Sequence, residues 1–162
     1  MPRTLGDKPP QGFGRAFSRF PLWFYRLRLG FLLGERFLML THTGRQSGLA
    51  RETVLEVVRH DTLTDSYVVA SGWGENSNWF RNILKNPRVS IAVGFRRCLP
   101  VLAVRLSEQG AKAEFLDYAR RHPRAFRVIA SRALGHPIGD ADVDSRLLAR
   151  SIPIVVLQTL GK

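Results

Sequence analysis

Beyond residue 35 the chain contains stretches in which apolar and polar residues alternate, with the two-residue period of half-buried β-strands, and short apolar runs typical of buried strands. This pattern predicts strands at residues 37–40, 51–60, 67–70, 89–93, 99–106 and 152–157. Helical spacing predicts helices at 77–85, 108–121 and 123–134. His122-Pro123 separates the last two, because the residue before a proline avoids helical backbone angles. Strands joined mostly by short turns, with helices in the C-terminal half, indicate an α+β, mainly β chain built on a small antiparallel barrel.

The N-terminal part has a different pattern. Residues 1–12 contain three prolines and two glycines and are expected to form a flexible arm. Residues 13–34 are predicted to form an amphipathic helix, because large apolar residues recur there every three or four positions: Phe13, Phe17, Phe20, Phe24, Leu27 and Phe31. Arginines occupy the opposite face, and Pro21 kinks or divides the helix. Residues 13–31 therefore suit contact with an anionic membrane surface, packing on the protein's own core, or the lining of an apolar entrance for a lipid-like substrate.

The segment from Thr41 to Arg51 lies between two predicted strands and is rich in groups that bind anions. It contains two glycines, three small hydroxyl side chains and two arginines. Glycine lets the backbone approach a ligand closely, clustered N–H groups bind anions, and the planar arginine fork matches phosphate or carboxylate oxygens. The segment predicts an anionic, phosphorylated partner. The alternative is a hairpin loop whose arginines are merely solvated.

A second segment, Ala70 to Asn82, follows a predicted strand and leads into a predicted helix. Gly72 and Gly74 free the backbone before Ser77 or Asn78 caps the helix. Backbone N–H groups there could bond the edge of a planar heterocycle that lies beside a tryptophan, Trp73 or Trp79. The alternative is a capped helix that carries a core tryptophan.

The 162 residues are enough for one domain with an ordinary core, and we expect that domain to span 35–162. Lysine and arginine number 25 against 13 acidic residues, a formal net charge of +12. Such an excess favours nucleic acid, anionic lipid or an acidic ligand. Nucleic acid ranks last and is not expected as a partner, because the basic residues are spread out and no nucleic-acid-binding module is recognisable.

Metal and disulfide chemistry are not expected. Cys98 is the only cysteine, and the four histidines stand far apart without metal-ligand spacing. No run approaches the roughly 20 apolar residues of a membrane span. The N-terminal apolar residues do not form a secretory signal, because arginines interrupt them every few positions. We therefore expect the protein in the cytoplasm, with peripheral contact at the inner face of the cell membrane as an option.

Four motifs resemble, in order and spacing, the deazaflavin-dependent nitroreductase and quinone reductase family. They are THTGRQSG at 41–48 with Arg51, ASGWG at 70–74, NWFRNILKNPRVSIAVG at 78–94 and RSIPIVVL at 150–157. The resemblance implies a split antiparallel β-barrel that binds coenzyme F-420, an 8-hydroxy-5-deazaflavin with a phospholactyl-polyglutamate tail. It also implies hydride transfer from the reduced coenzyme to a small-molecule acceptor such as a quinone, a nitroaromatic compound or another electron-poor molecule.

The resemblance also implies which residues bind the cofactor. It assigns the phosphate and acidic tail to the first motif, namely Thr43, Gly44, Arg45, Gln46, Ser47, Gly48 and Arg51. It assigns the deazaflavin ring to the backbone of Ala70, Ser71, Gly72, Trp73 and Gly74, with Trp79 and Asn82 supporting the pocket. Ser71 is the candidate catalytic residue, because its hydroxyl or nearby N–H groups could stabilise negative charge that develops on the acceptor. Three positions depart from the family pattern: Gln46 stands where a lysine is common, and Gly72-Trp73 replaces lysine–glycine.

Two other functions remain open at this point. An FMN-binding split-barrel oxidoreductase is one alternative, since a phosphate and a flat ring suit either cofactor. A non-catalytic carrier of a lipid-like, haem-like or flavin-like ligand is the other, and Trp73 at the cofactor loop suggests it. The sequence specifies neither the physiological acceptor nor the oligomeric state.

Overall fold

Residues 35–161, the part of the chain that the computed structural model describes, contain six strands, four α-helices and a short 3-10 helix at Gly74–Asn76. The strands are β1 (Phe37–Thr43), β2 (Ala50–Asp61), β3 (Ser66–Ala70), β4 (Arg88–Val93), β5 (Arg96–Arg105) and β6 (Ile154–Thr159). The helices are α1 (Asn78–Lys85), α2 (Glu108–Arg121), α3 (Pro123–Leu134) and α4 (Ala141–Ser151). The predicted flexible arm at 1–12 and the predicted amphipathic helix at 13–34 lie outside the described residues.

The strands close into a barrel in the order β1-β2-β3-β6-β5-β4. Closure depends on β1, which pairs antiparallel with β2 on one side and with β4 on the other. Alternate residues of β1 are buried, and its three inward positions are Leu38, Leu40 and His42. The predicted antiparallel barrel is confirmed, and the third inward position of β1 is polar.

The core of the barrel is apolar and includes one face of α1. Strand residues of this core include Leu38, Leu40, Tyr67, Val69, Ile91, Val93, Val101, Val155 and Leu157. Helix α1 contributes Trp79, Phe80 and Ile83. Because three apolar side chains anchor α1 in the core, the polar residues on the same short helix are held at fixed positions.

The described residues divide into two compact units, and the barrel with α1 is one of them. The second unit comprises the turn at Ser71–Ser77 and residues 105–154. In it, α2 packs against both α3 and α4. Ser107 caps α2 by accepting a hydrogen bond from the Gly110 N–H at 3.1 Å, and Gly135 ends α3 in the left-handed conformation at φ 74°.

Some boundaries differ from the sequence-based expectations. Helices α2 and α3 have the predicted limits, with His122-Pro123 between them, and Pro153 lies just before β6. Strand β1 continues to Thr43 and β2 begins at Ala50. Within the segment from Thr41 to Arg51, the turn is therefore limited to residues 44–49. Helix α4 was not predicted.

Two structural findings concern membranes and metals. None of the helices within residues 35–161 is long and apolar enough to cross a membrane. Over the same residues, no group of three or more histidine, cysteine or acidic side chains is placed to hold a metal ion.

Candidate functional site

The turn between β1 and β2 is tight because two glycines allow it. The Gly44 N–H donates to the Leu49 carbonyl and the Gly48 N–H donates to the Gly44 carbonyl, each at 2.8 Å. Gly48 has a φ of 67°, in the region that favours glycine. A Cβ on Gly44 would lie 2.6 Å from the Ser47 hydroxyl oxygen, which is closer than real side chains allow. Glycine at 44 therefore brings the Ser47 hydroxyl directly over the backbone of the turn.

Most backbone donors of this turn already have partners. Besides the two glycine N–H groups, the Arg45 N–H donates to Asn82 Oδ1 at 3.0 Å and the Leu49 N–H donates to Ser47 Oγ at 3.3 Å. Within the described part of the chain, the N–H groups of Gln46 and Ser47 have no partner. The cluster of free backbone donors expected from the sequence is thus reduced to two adjacent groups.

Asn82 on α1 joins the turn to the barrel interior, and it is almost fully buried. Its Oδ1 accepts both the Arg45 backbone N–H and the Arg45 guanidinium Nη1, each at 3.0 Å. Its Nδ2 lies 3.1 Å from His42 Nδ1, where the amide donates and the ring nitrogen accepts. Asn82 therefore fixes the backbone and the side chain of Arg45 at once.

His42 is the inward polar residue of β1, and its ring is neutral near pH 7. Burial lowers its pKa from the ordinary 6.5 to about 4, and the nearby positive charge of Arg51 adds to the effect. A neutral ring offers a free lone pair on one nitrogen, which the hydrogen bond from Asn82 requires. The electrostatics of the site and its hydrogen-bond geometry thus agree.

Three positive side chains surround the turn, and we call Arg45, Arg51 and Lys85 the cationic cluster. The Lys85 ammonium donates to the Arg45 carbonyl at 2.9 Å, and Arg45 Nη1 also donates to Asn78 Oδ1 at 3.2 Å. Arg51 Cγ lies 3.7 Å from where a Gly44 Cβ would be. These hydrogen-bond acceptors are neutral groups, and no member of the cluster forms an ion pair with a carboxylate in the described residues. The turn therefore carries positive charge that the barrel does not neutralise.

The first motif's residues are therefore together in the structure. Gln46, Ser47 and Gly48 are exposed on the turn, Thr43 ends β1, and Arg51 is exposed on β2 opposite His42. Trp79 lies in the barrel core, 8% exposed and edge-on to Phe80. His42, Asn78 and Lys85 were not predicted as part of the site. The parity of β1 indicates that His42 points inward, whereas the contribution of Lys85 depends on a tertiary contact across 40 residues.

The second motif forms a turn after Ala70, the last residue of β3. The Ser71 hydroxyl is fully buried; it donates to the Gly74 carbonyl at 2.7 Å and lies 2.9 Å from Ser77 Oγ. Gly74 has a φ of 65°, and a Cβ on it would lie 3.2 Å from the Ser151 carbonyl oxygen. Gly72 faces open space. The Trp73 side chain is 41% exposed. This geometry gives the Ser71 hydroxyl a role in holding the turn, and the catalytic role of Ser71 stays a prediction.

The chain is similar to a known protein family over most of its length. The sequence profile described as F420H(2)-dependent quinone reductase matches residues 19–137, which is more than half of the chain.

Solved structures with the same fold include proteins with different ligands. One is an F420-H2 dependent reductase (FDR-A), with 20% sequence identity and a TM-score of 0.53 over 77% of this chain and 96% of that chain. An FMN-binding protein related to pyridoxamine 5'-phosphate oxidase, from Nostoc punctiforme, has 15% identity and a TM-score of 0.53 over 95% and 83%. The heme storage protein HutZ from Vibrio cholerae has 18% identity and a TM-score of 0.51 over 82% and 87%. At these identities the likeness is one of fold.

Proposed function

The chain belongs to the F420H(2)-dependent quinone reductase family, and from this premise we propose that it transfers a hydride from reduced coenzyme F-420 to a quinone. Nitroaromatic compounds and other electron-poor molecules are further candidate acceptors. The family makes the protein an oxidoreductase; the acceptor is the part that we propose.

The observation that carries the proposal is the cationic cluster at the turn between β1 and β2. Three positive side chains without carboxylate partners in the described residues favour a ligand with several negative charges. The phosphate and glutamates of the F-420 tail are such a ligand. In our proposal Arg45 and Arg51 bind the phosphate oxygens, the N–H groups of Gln46 and Ser47 donate to the same group, and Lys85 pairs with a carboxylate of the tail.

Lys85 also bears on the departure of Gln46 from the family pattern. The Lys85 ammonium reaches the Arg45 carbonyl, so α1 brings a positive charge to the turn. The cluster therefore keeps three positive side chains although position 46 is uncharged. This supports an anionic ligand in spite of the substitution.

For the deazaflavin ring we retain the segment that the resemblance names, Ala70 to Gly74. Gly72 faces open space, so a ligand can approach its backbone, and the exposed indole of Trp73 offers a flat apolar surface. The bound coenzyme supplies the hydride, and the protein orients it and excludes competing reactions.

FMN is the second candidate cofactor, because an FMN-binding protein shares the fold and a single phosphate would suit the same donors. The two candidates differ in the charge of the tail, since FMN carries one phosphate and no glutamates. The three positive side chains of the cluster favour the longer anionic tail.

The test is an anaerobic assay with a water-soluble short-chain naphthoquinone, in which oxidation of reduced F-420 or reduced FMN is followed by absorbance. We expect turnover with F-420. Replacing Arg45 by glutamine should raise the KM for the coenzyme about tenfold or more, because a charge-assisted hydrogen bond is lost. Arg88→Gln removes an exposed charge elsewhere on the barrel and should leave the KM unchanged.

Two results would contradict the proposal. Turnover with reduced FMN at lower concentrations than with F-420 would identify the protein as an FMN-dependent enzyme. Tight binding of either chromophore without oxidation by any quinone or nitroaromatic acceptor would identify it as a carrier.

A further inference from the structure

A stretch rich in positive charge, separate from the cationic cluster, lies on α3 and its flanking residues. Residues 118–139 contain five arginines and two histidines but no aspartate or glutamate. The first of these arginines, Arg120 and Arg121, belong to the last turn of α2, and the others lie on α3. The stretch concentrates positive charge in one short part of the second unit.

Helix α3 is anchored by one face and open on the other. Its buried side chains are Phe126, Ala130, Ala133 and Leu134. At 100° per residue, Arg124, Val128 and Arg132 form a line one turn apart on the opposite side, with Ile129 next to it. Val128 is 61% exposed and Ile129 is 42% exposed. We call Arg124, Arg127, Val128, Ile129 and Arg132 the α3 face.

The charges of the α3 face have no partners within the described residues. Arg124, Arg127 and Arg132 form no ion pair there, whereas the neighbouring Arg121 pairs with Asp117 at 2.7 Å. Arginine stems cover apolar surface while their charged ends reach polar groups. Two exposed aliphatic side chains flanked by three arginines therefore resemble the surface of a helix that lies in a lipid interface.

We propose that the α3 face docks the protein on the surface of an anionic lipid bilayer. Lipid phosphates complement the arginines, and the boundary between headgroups and acyl chains accommodates Val128 and Ile129. A nucleic acid backbone would bind the arginines but gain nothing from exposed valine and isoleucine. An acidic protein partner is disfavoured because the face lacks the aromatic anchors that dominate protein interfaces.

This inference goes beyond the proposed function, because the face can bind lipid whatever the acceptor is. It also differs from the membrane contact predicted for residues 13–31, which lie outside the described residues. If both the proposed function and this lipid contact hold, the enzyme works at the surface of the bilayer in which long-chain quinones dissolve.

The experiment measures co-sedimentation of the full chain with vesicles of phosphatidylglycerol and phosphatidylcholine, and with vesicles of phosphatidylcholine alone, at ~0.1 M salt. We expect binding to the first and little to the second. The double variant Arg124→Glu/Arg132→Glu should lower partitioning about 25-fold or more, at about fivefold for each arginine removed. The control Arg36→Glu/Arg88→Glu makes the same change in net charge elsewhere and should lower it far less.

A second variant separates lipid from other anions. Val128→Ser/Ile129→Ser keeps every charge and should lower partitioning about tenfold, because burial of both aliphatic side chains is lost. Turnover of a soluble quinone should stay at the wild-type rate in both α3 variants, which shows that they fold and that a failure here is not a failure of the proposed function.

Three outcomes would overturn the inference. Equal loss in the α3 charge variant and in its control would indicate attraction by net charge alone. Unchanged partitioning in Val128→Ser/Ile129→Ser would indicate a purely ionic contact, of the kind that a nucleic acid or an acidic protein also makes. Wild-type partitioning in all variants would place any membrane contact outside the α3 face.

Discussion

At the scale of single residues, the site depends on the chain of hydrogen bonds from His42 through Asn82 to Arg45. Each member needs the next: the neutral imidazole orients the amide, and the amide holds the arginine. The sequence indicated Arg45 and, by resemblance, Asn82. It did not indicate His42, because β1 was predicted to end at Leu40 and the inward parity of Leu38, Leu40 and His42 was therefore not followed to its third member.

The lowered pKa of His42 predicts a specific dependence of stability on pH. Since the folded value of about 4 lies below the ordinary 6.5, the unfolded chain takes up the proton first as pH falls. The contribution of His42 to the free energy of unfolding is complete above pH 6.5 and declines between pH 6.5 and 4. It amounts to about 3 kcal/mol at most. The decline is measured by denaturant unfolding at about pH 7 and at about pH 4.5, because most of it falls between these two values.

His42→Asn is the matched variant, because its side-chain carbonyl can accept the bond from Asn82 and gains no proton. The difference in unfolding free energy between the two pH values should be smaller in this variant by about 2 kcal/mol. The other histidines are present in both proteins and cancel. An identical decline in both proteins would show that His42 does not titrate as described.

Asn82 predicts an effect on ligand binding. In Asn82→Asp the new carboxylate still accepts from Arg45 but neutralises its charge and has no N–H for His42. The affinity for coenzyme F-420, measured by calorimetry, should fall about tenfold or more. Asn86→Asp, one turn further along the chain, makes the same change in net charge and should bind nearly as the wild type does. Equal affinities for Asn82→Asp and the wild type would exclude a role of this hydrogen-bond chain in tail binding.

At the scale of elements, local signals decided which boundaries were predictable. Helices α2 and α3 have the expected limits because Ser107, Pro123 and Gly135 supply a cap, a first-turn proline and a left-handed end. Strand β5 begins at Arg96, three residues before its apolar run, because Gly94 turns the chain back tightly at φ 54°. Helix α4 was missed because polar residues dominate it, although Asp140, Asp142 and Asp144 mark its start.

The start of α4 predicts a measurable contribution to stability. The Asp140 carboxylate accepts from the N–H groups of Asp142 at 2.7 Å and Val143 at 3.2 Å. Asp140→Ala should lower the free energy of unfolding by about 1 kcal/mol, whereas Asp140→Ser retains a capping oxygen and should lower it by only a few tenths. Urea denaturation measures both. A loss of equal size in the two variants would contradict a capping role.

At the scale of the whole molecule, the sequence predicted the antiparallel barrel but not the strand pairing that closes it. Strands with short connections indicated an antiparallel barrel, and the described residues confirm it. The pairing of β1 with β4, which closes it, joins residues about 50 positions apart and leaves no local signal. The site shows the same division: the sequence indicated the turn and, by resemblance, Asn82, but it did not indicate Asn78 and Lys85 on the same helix.

Net charge acts at this scale as well. The formal charge of +12 favours anionic ligands in general, and within residues 35–161 the cationic cluster and the α3 face concentrate part of it. The matched controls at Arg36 and Arg88 separate each of these from the overall field. If net charge alone were responsible, the substitution of any arginine would have the same effect on binding.

The most direct measurement compares the affinity of the protein for coenzyme F-420 and for its chromophore without the phospholactyl-polyglutamate tail, both by calorimetry. The wild type should bind the complete coenzyme at least about 100-fold more tightly. In Arg45→Gln/Lys85→Gln the ratio should fall to about tenfold or less, with the affinity for the bare chromophore nearly unchanged. A wild-type ratio near one, or an equal ratio in the wild type and the double variant, would contradict the account.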